Sequence, residues 1–147
     1  MTKNLHQKLQ VFLADDSALM CQHLVTMFAE RGGIDVVGQA KEAPAAASLI
    51  CDLKPDVVAL DINIIGGSGF DVLHHIRREL PQFQQSPVVI MLSNHSHEFY
   101  RRKAVTAGAN FFFDKSTEFE KMRNLMANLA CHSPPIRNHF RGDAFRP

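Results

Sequence analysis

Five short apolar runs alternate along the chain with longer stretches of helical periodicity. The runs begin near residues 11, 34, 57, 88 and 111, and they lack the regular polar–apolar alternation of a half-exposed strand. Strands of this kind are typical of a parallel sheet whose two faces are both covered by helices. The pattern therefore predicts five βα units that build one five-stranded parallel sheet.

Right-handed crossovers between such units give a doubly wound, flavodoxin-like (βα)5 fold, which is an α/β three-layer sandwich. The pattern occupies residues 9–130, about the length of one ordinary domain. We therefore expect residues 1–8 to form an N-terminal extension. Residues 131–147 contain three prolines and are expected to form a C-terminal tail.

Composition narrows the class of protein. Hydrophobic residues make up 46% of the 147 residues and charged residues 21%, as in an ordinary folded domain. A formal net charge of +1 argues against binding of nucleic acid through bulk charge. No apolar run reaches the ~20 residues that span a bilayer, and the N-terminus lacks the core of a signal peptide. Because the three cysteines suit neither a metal pair nor a disulfide framework, we expect a cytoplasmic protein without membrane insertion.

Reactive or charged side chains end four of the five predicted strands. Asp15 and Asp16 follow the first run, Asp61 ends the third, Ser93 ends the fourth, and Lys115 follows the fifth. The carboxyl ends of parallel strands meet at one edge of the sheet, which is where such folds bind ligands. We therefore expect these five side chains to form one site.

The residue types at this edge predict phosphoryl chemistry with a metal ion. Three neighbouring carboxylates repel one another, and a hard cation such as Mg²⁺ removes that penalty. Lys115 and Ser93 suit a phosphoryl group, as a point charge and a hydrogen-bond donor. A carboxylate can itself be the nucleophile, and Asp61 is the candidate because its strand is the most apolar.

Sequence motifs at residues 11–16, 57–61, 69–73, 89–93 and 108–115 carry a family resemblance. They read VFLADD, VVALD, GFDVL, VIMLS and GANFFFDK. In this order they resemble the receiver domain of bacterial two-component response regulators, of the stand-alone, chemotaxis-regulator-like kind. The resemblance covers essentially all of residues 9–130.

The resemblance implies roles for the residues that hold the phosphoryl group and the metal. Asp61 would accept the group from a sensor histidine kinase or a histidine phosphotransfer protein. Asp16 would bind Mg²⁺ directly, Asp15 mainly through water, and the backbone carbonyl of Asn63 would be a further ligand. The metal set is therefore Asp15, Asp16, Asp61 and Asn63.

Other residues are implied to take part in a conformational switch. Ser93 and Lys115 would bind phosphoryl oxygens, and Phe112 stands where the family has a switch aromatic. The face formed by the fourth helix, fifth strand and fifth helix would then change and contact a downstream protein. Arg101 lies in a short basic run on that helix. Such runs are most often solvated faces, but this one lies on the expected output surface.

Several positions depart from the family pattern. Ile65 and two glycines stand in place of the usual proline after the acceptor loop, and Ser116 replaces the proline that usually follows the lysine. Asn63 and His95 occupy the variable positions that tune dephosphorylation in the family. None of these changes removes a chemical group from the predicted site.

The favoured interpretation is a phosphorylation-dependent switch that signals by protein–protein contact, with a homodimer as one form of contact. Such a protein is not an enzyme beyond accepting and releasing its own phosphoryl group. One alternative is the receiver portion of a longer transcriptional regulator. Another is a magnesium-dependent aspartyl-phosphate phosphatase, although that chemistry needs an acid where this chain has Asn63.

Overall fold

A five-stranded parallel sheet forms the centre of the computed structural model, which describes residues 8–81, 86–94 and 98–131. In chain order its strands are β1 (Leu9–Ala14), β2 (Ile34–Ala40), β3 (Val57–Asp61), β6 (Val88–Ser93) and β7 (Phe111–Asp114). Within the sheet they lie in the order β2-β1-β3-β6-β7. The predicted parallel, doubly wound sheet is confirmed, and β7 is its fifth strand along the chain.

Five helices cover the two faces of this sheet. They are α1 (Ala18–Arg31), α2 (Ala43–Leu53), α3 (Gly69–Glu79), α4 (Glu98–Ala107) and α5 (Phe119–Cys131). One core cluster joins the sheet to α1 and α5, and the other joins it to α2, α3 and α4. The three-layer prediction is therefore confirmed. No helix within the described ranges is long and apolar enough to cross a membrane.

Local signals in the sequence explain where the helices begin and end. The Ser17 hydroxyl accepts a hydrogen bond from the Met20 N–H at 3.2 Å, which caps α1. That helix ends at Gly32, whose φ of 78° is easily adopted by glycine. Ser68 and Asp71 form a reciprocal capping box at the start of α3.

The chain between β3 and α3 forms a short antiparallel hairpin of β4 (Asn63–Ile64) and β5 (Gly67–Ser68). Its Ile65 exchanges backbone bonds with the loop before α2. The Ile65 N–H donates to the Lys41 carbonyl at 3.2 Å, and the Ala43 N–H donates to the Ile65 carbonyl at 2.7 Å. These bonds secure the loop at which the family's usual proline is missing.

Arg77 joins three segments at the amino end of β6 and β7. Its guanidinium donates to the Gly108 carbonyl at 2.8 and 3.0 Å and to the Pro87 carbonyl at 2.8 Å. It also donates to the Asn110 side chain at 2.9 Å, which accepts from the Val89 N–H at 2.8 Å. One arginine of α3 therefore satisfies main-chain carbonyls that the sheet leaves unpaired.

Candidate functional site

Three aspartates meet at the carboxyl edge of the sheet. Asp15 directly follows β1 and Asp61 ends β3, and these strands are hydrogen-bonded neighbours in parallel register. Each of Asp15, Asp16 and Asp61 offers a carboxylate oxygen within 4.8 Å of the others. Asp15 and Asp61 are buried and Asp16 is exposed, so the cluster has one side open to solvent.

Lys115 joins the two buried carboxylates. Its Nζ lies 2.7 Å from Asp15 Oδ2 and 2.9 Å from Asp61 Oδ2, and the side chain is 6% exposed. Its backbone N–H donates to the Ser93 carbonyl at 2.8 Å, which places the loop after β7 against the end of β6. Burial lowers the pKa of this ammonium, but the two carboxylates outweigh burial and raise it.

The surroundings of Asp61 make its carboxyl harder to ionise than a free aspartate. Burial raises the pKa of its carboxyl, the Lys115 ammonium opposes that effect, and the Asp15 carboxylate adds to it, so the pKa rises to about 6. The Asn63 N–H donates to Asp61 Oδ1 at 3.2 Å and favours the ionised form. The environment therefore favours a positive charge beyond the one that Lys115 supplies.

The donor set fits a hard divalent cation. Three carboxylates face one ammonium, which leaves two negative charges uncompensated when all groups are ionised. Carboxylate oxygens are the ligands that Mg²⁺ prefers, and an open side leaves room for water and phosphate oxygens. Asn63 lies in the hairpin two residues after Asp61, so its carbonyl is near the cluster in the chain.

Ser93 and Phe112 occupy different positions relative to this cluster. Ser93 ends β6, is 1% exposed, and pairs with Asp114 of β7 in the sheet register. Its strand is the neighbour of the one that carries Asp61. Phe112 is buried and contacts Arg101, whose guanidinium carbon lies 4.8 Å from the ring centroid. The aspartates and Lys115 thus meet directly, while Phe112 lies under α4.

Gly69 packs directly against the main chain of Asp61 and Ile62. A Cβ at this position would lie 2.4 Å from the Asp61 carbonyl oxygen and 3.0 Å from the Ile62 Cα. The Gly69 N–H donates to the Ile62 carbonyl at 2.7 Å. The glycine that this chain shares with the family pattern is therefore required for the start of α3 to approach the end of β3.

Sequence reasoning missed the network around Arg101. Within the basic run, Arg101 is only partly solvated, because its side chain is 28% exposed and pairs with Glu118 at 3.1 Å. The neighbouring Arg102 is 80% exposed, as expected of a solvated face. No signal in a single sequence marks a contact between a residue of α4 and the residue just before α5, 17 positions further along the chain. His95 lies outside the described residues.

Comparison with curated proteins identifies relatives that are longer than this chain. The DNA-binding transcriptional activator EvgA of Escherichia coli K12 is 31% identical over 118 residues, which are 76% of this chain and 54% of EvgA. The response regulator GacA of Pseudomonas aeruginosa is 27% identical over 143 residues, which are 95% of this chain and 65% of GacA. The chain therefore spans about half the length of EvgA and under two thirds of GacA.

Solved structures show the same architecture. The response regulator domain of Thermotoga maritima CheB superposes with a TM-score of 0.71 at 25% identity, covering 87% of this chain and 97% of that domain. The signal receiver domain of NarL from Mycobacterium tuberculosis gives a TM-score of 0.71 at 26% identity, with the same coverage of 87% and 97%. The family model of the response regulator receiver domain matches residues 11–127 of this chain. This chain belongs to the response regulator receiver domain family.

Proposed function

We propose that this chain is a phosphorylation-dependent signalling switch whose Asp61 accepts a phosphoryl group. Receiver domains interact with histidine kinases or phosphotransfer proteins, so the proposed donor is a phosphohistidine of one of these. The observation that carries the proposal is the contact of Lys115 Nζ with Asp61 and Asp15, at 2.9 and 2.7 Å, beside exposed Asp16. This arrangement presents a nucleophile, a cation for a phosphoryl oxygen and a metal site at one sheet edge.

The proposed reaction is a phosphoryl transfer between two side chains. A carboxylate oxygen of Asp61 attacks the phosphorus, the new O–P bond forms, and the P–N bond to the donor imidazole breaks. The bonding pair remains on the imidazole nitrogen. Mg²⁺ bound by Asp15, Asp16, Asp61 and the Asn63 carbonyl would neutralise charge between the two anions.

Lys115 is proposed to exchange partners during this reaction. Its bond to Asp61 Oδ2 is free to pass to a phosphoryl oxygen, while Asp15 retains its own bond to the ammonium. The Ser93 hydroxyl would bind another phosphoryl oxygen from the adjacent strand. Phosphorylation adds about two negative charges, and it favours the active conformation only as far as these groups bind it better there.

The proposed output is a change in the surface of α4, β7 and α5. Phe112 is buried beneath α4, and Phe99 on the same helix is 67% exposed. A turn of the Phe112 ring would alter how α4 packs on the sheet, and hence the surface offered to a downstream protein or a second copy. We propose no catalysed reaction beyond phosphorylation and dephosphorylation of the chain itself.

A second candidate is that the chain acts as the receiver portion of a transcriptional regulator. EvgA is described as a DNA-binding transcriptional activator, and the match covers 54% of its length. The phosphatase alternative has less support, because Asn63 lies where a general acid is needed and its side chain is an amide. The mass of the native product in its source cells distinguishes a stand-alone receiver from a longer regulator.

Intact-protein mass after incubation with acetyl phosphate and Mg²⁺ tests the proposal. We expect the wild type to gain one phosphoryl group, EDTA to prevent the gain, and Asp61→Asn to abolish it. Asp52→Asn is the matched control, because Asp52 is an exposed carboxylate on α2. A gain that persists in Asp61→Asn contradicts the assignment of the nucleophile. A wild type that neither gains mass nor binds beryllium fluoride contradicts the proposed function.

A further inference from the structure

The loop that carries Lys115 is closed by the side chain of the preceding residue. Asp114 Oδ1 accepts hydrogen bonds from the Ser116 N–H at 2.8 Å, the Ser116 hydroxyl at 2.6 Å and the Thr117 N–H at 3.1 Å. Lys115 lies inside this turn, so its main chain is fixed on both sides. Ser116 stands where the family pattern has proline, and these bonds restrict the backbone that a proline ring would otherwise restrict.

Glu118 adds a second carboxylate to the same turn. Its Oε1 accepts from the Asp114 N–H at 2.9 Å, and its own N–H donates to the Asp114 carbonyl at 2.9 Å. Burial opposes ionisation of Glu118, but the Asp114 N–H and Arg101 outweigh it and lower the pKa of this carboxyl. Through these bonds, an ionised Glu118, which directly precedes α5, is tied to Asp114 at the end of β7.

Arg101 connects this turn to α4. Its Nη2 lies 3.1 Å from Glu118 Oε1, its Nη1 donates to the Phe112 carbonyl at 3.2 Å, and its guanidinium covers the Phe112 ring. A continuous chain of contacts thus runs from α4 through Glu118 and Asp114 to the loop of Lys115. Both charged partners are largely shielded from water, with 28% and 19% of their side chains exposed, so the pair is tighter than an ordinary surface ion pair.

We propose that Asp114, Glu118 and Arg101 are positioning residues that aim the Lys115 ammonium at the acidic cluster, and that they couple its position to the placement of α4. The consequence for signalling rests on the proposed function, whereas the positioning itself does not. A displacement of a reacting group by ~1 Å costs up to roughly 100-fold in rate, so small changes in this turn are sufficient to affect phosphoryl transfer.

The ¹⁵N signal of the Lys115 ammonium group tests the positioning without any phosphorylation. Because the ammonium is buried and bonded to two carboxylates, we expect its protons to exchange slowly enough with water for the signal to be observed. We expect Asp114→Ala and Arg101→Ala to shift or broaden the signal. Asp114→Asn keeps an acceptor oxygen and should leave it near its original position. Arg102→Ala is the matched control, because this neighbour is 80% exposed and pairs only with Glu98 among the contacts observed in the described ranges.

An unchanged ammonium signal in either Asp114→Ala or Arg101→Ala overturns the proposal. If Asp114→Ala does not fold, the comparison of Arg101→Ala with Arg102→Ala is decisive, since neither side chain belongs to the core. In the acetyl phosphate assay we expect Asp114→Ala to lower the rate by roughly tenfold or more, with an unchanged Mg²⁺ requirement. A general loss of structure would change both the rate and the Mg²⁺ requirement. If the wild type accepts no phosphoryl group, the proposed function fails while the ammonium comparison still decides this inference.

Discussion

Replacing Asp61 by asparagine should stabilise the metal-free protein at neutral pH but not in acid. The carboxyl is 4% exposed and lies beside a second buried carboxylate, Asp15. Burial is the main reason that its pKa rises from 3.8 to about 6, with Asp15 adding to the effect and Lys115 opposing it. Asparagine retains the shape and an oxygen for the Asn63 N–H, but it carries no charge.

The sign and size of the effect follow from linkage between protonation and folding. Because the folded pKa lies above the unfolded one, the stabilisation from protonated Asp61 is complete below about pH 4 and is lost as the pH rises through about 6. Each pKa unit is worth about 1.4 kcal/mol, so the full change is about 3 kcal/mol. Relative to Asp61→Asn, the free energy of unfolding of the wild type should fall by up to that amount between acid and neutral pH.

Urea unfolding in EDTA at a series of pH values measures this difference. Asp52→Asn is the control and should follow the wild type at every pH, because Asp52 is exposed. A second series contains Mg²⁺. Because the metal favours the ionised carboxylate, it should reduce or reverse the difference in stability between the wild type and Asp61→Asn. A gap between wild type and Asp61→Asn that does not vary with pH would refute the reasoning.

Three further substitutions test the fold around the site by urea unfolding. Gly69→Ala puts a methyl group 2.4 Å from the Asp61 carbonyl oxygen, so we expect a loss of about 1–3 kcal/mol and slower phosphoryl uptake; an unaltered midpoint contradicts this. Arg77→Met removes charged hydrogen bonds to two main-chain carbonyls and should cost about 2–4 kcal/mol. Arg78 is exposed, so Arg78→Met should change the free energy of unfolding by no more than about 0.5 kcal/mol. Equal unfolding midpoints for Arg77→Met and Arg78→Met would exclude the assigned role of Arg77. Ser68→Ala removes the cap of α3 and should cost about 1 kcal/mol, with no loss counting against the capping box.

Much of the fold was predictable because its signals are local. All five residues of β3 are buried, which is why that run shows no alternation. Ser17 at the start of α1 and Gly32 at its end are residue types that signal helix boundaries in a sequence. The side chains of β7 alternate as those of any strand do, since Phe112 packs with the α2, α3 and α4 layer and Phe111 and Phe113 pack with the other.

The site was predictable to the extent that strand order dictates it. The cluster of aspartates with Lys115 follows from which strands end beside one another, and the structure places these four side chains together. The roles assigned to these four residues, and to Ser93, Asn63 and Phe112, remain predictions. The contacts of Arg77 and Arg101 were not predictable, because they join residues 31 and 17 positions apart through long side chains whose course no local pattern specifies.

The metal-free site is the part of this molecule where stability and function conflict. Two buried carboxylates share one ammonium, and a core with neutral side chains at those positions would fold more easily. The same excess of negative charge suits the site to a divalent cation, and under the proposed function it would let Lys115 change partners when a phosphoryl group arrives. A variant that relieves the conflict, such as Asp61→Asn, should therefore be more stable and inactive for the same electrostatic reason.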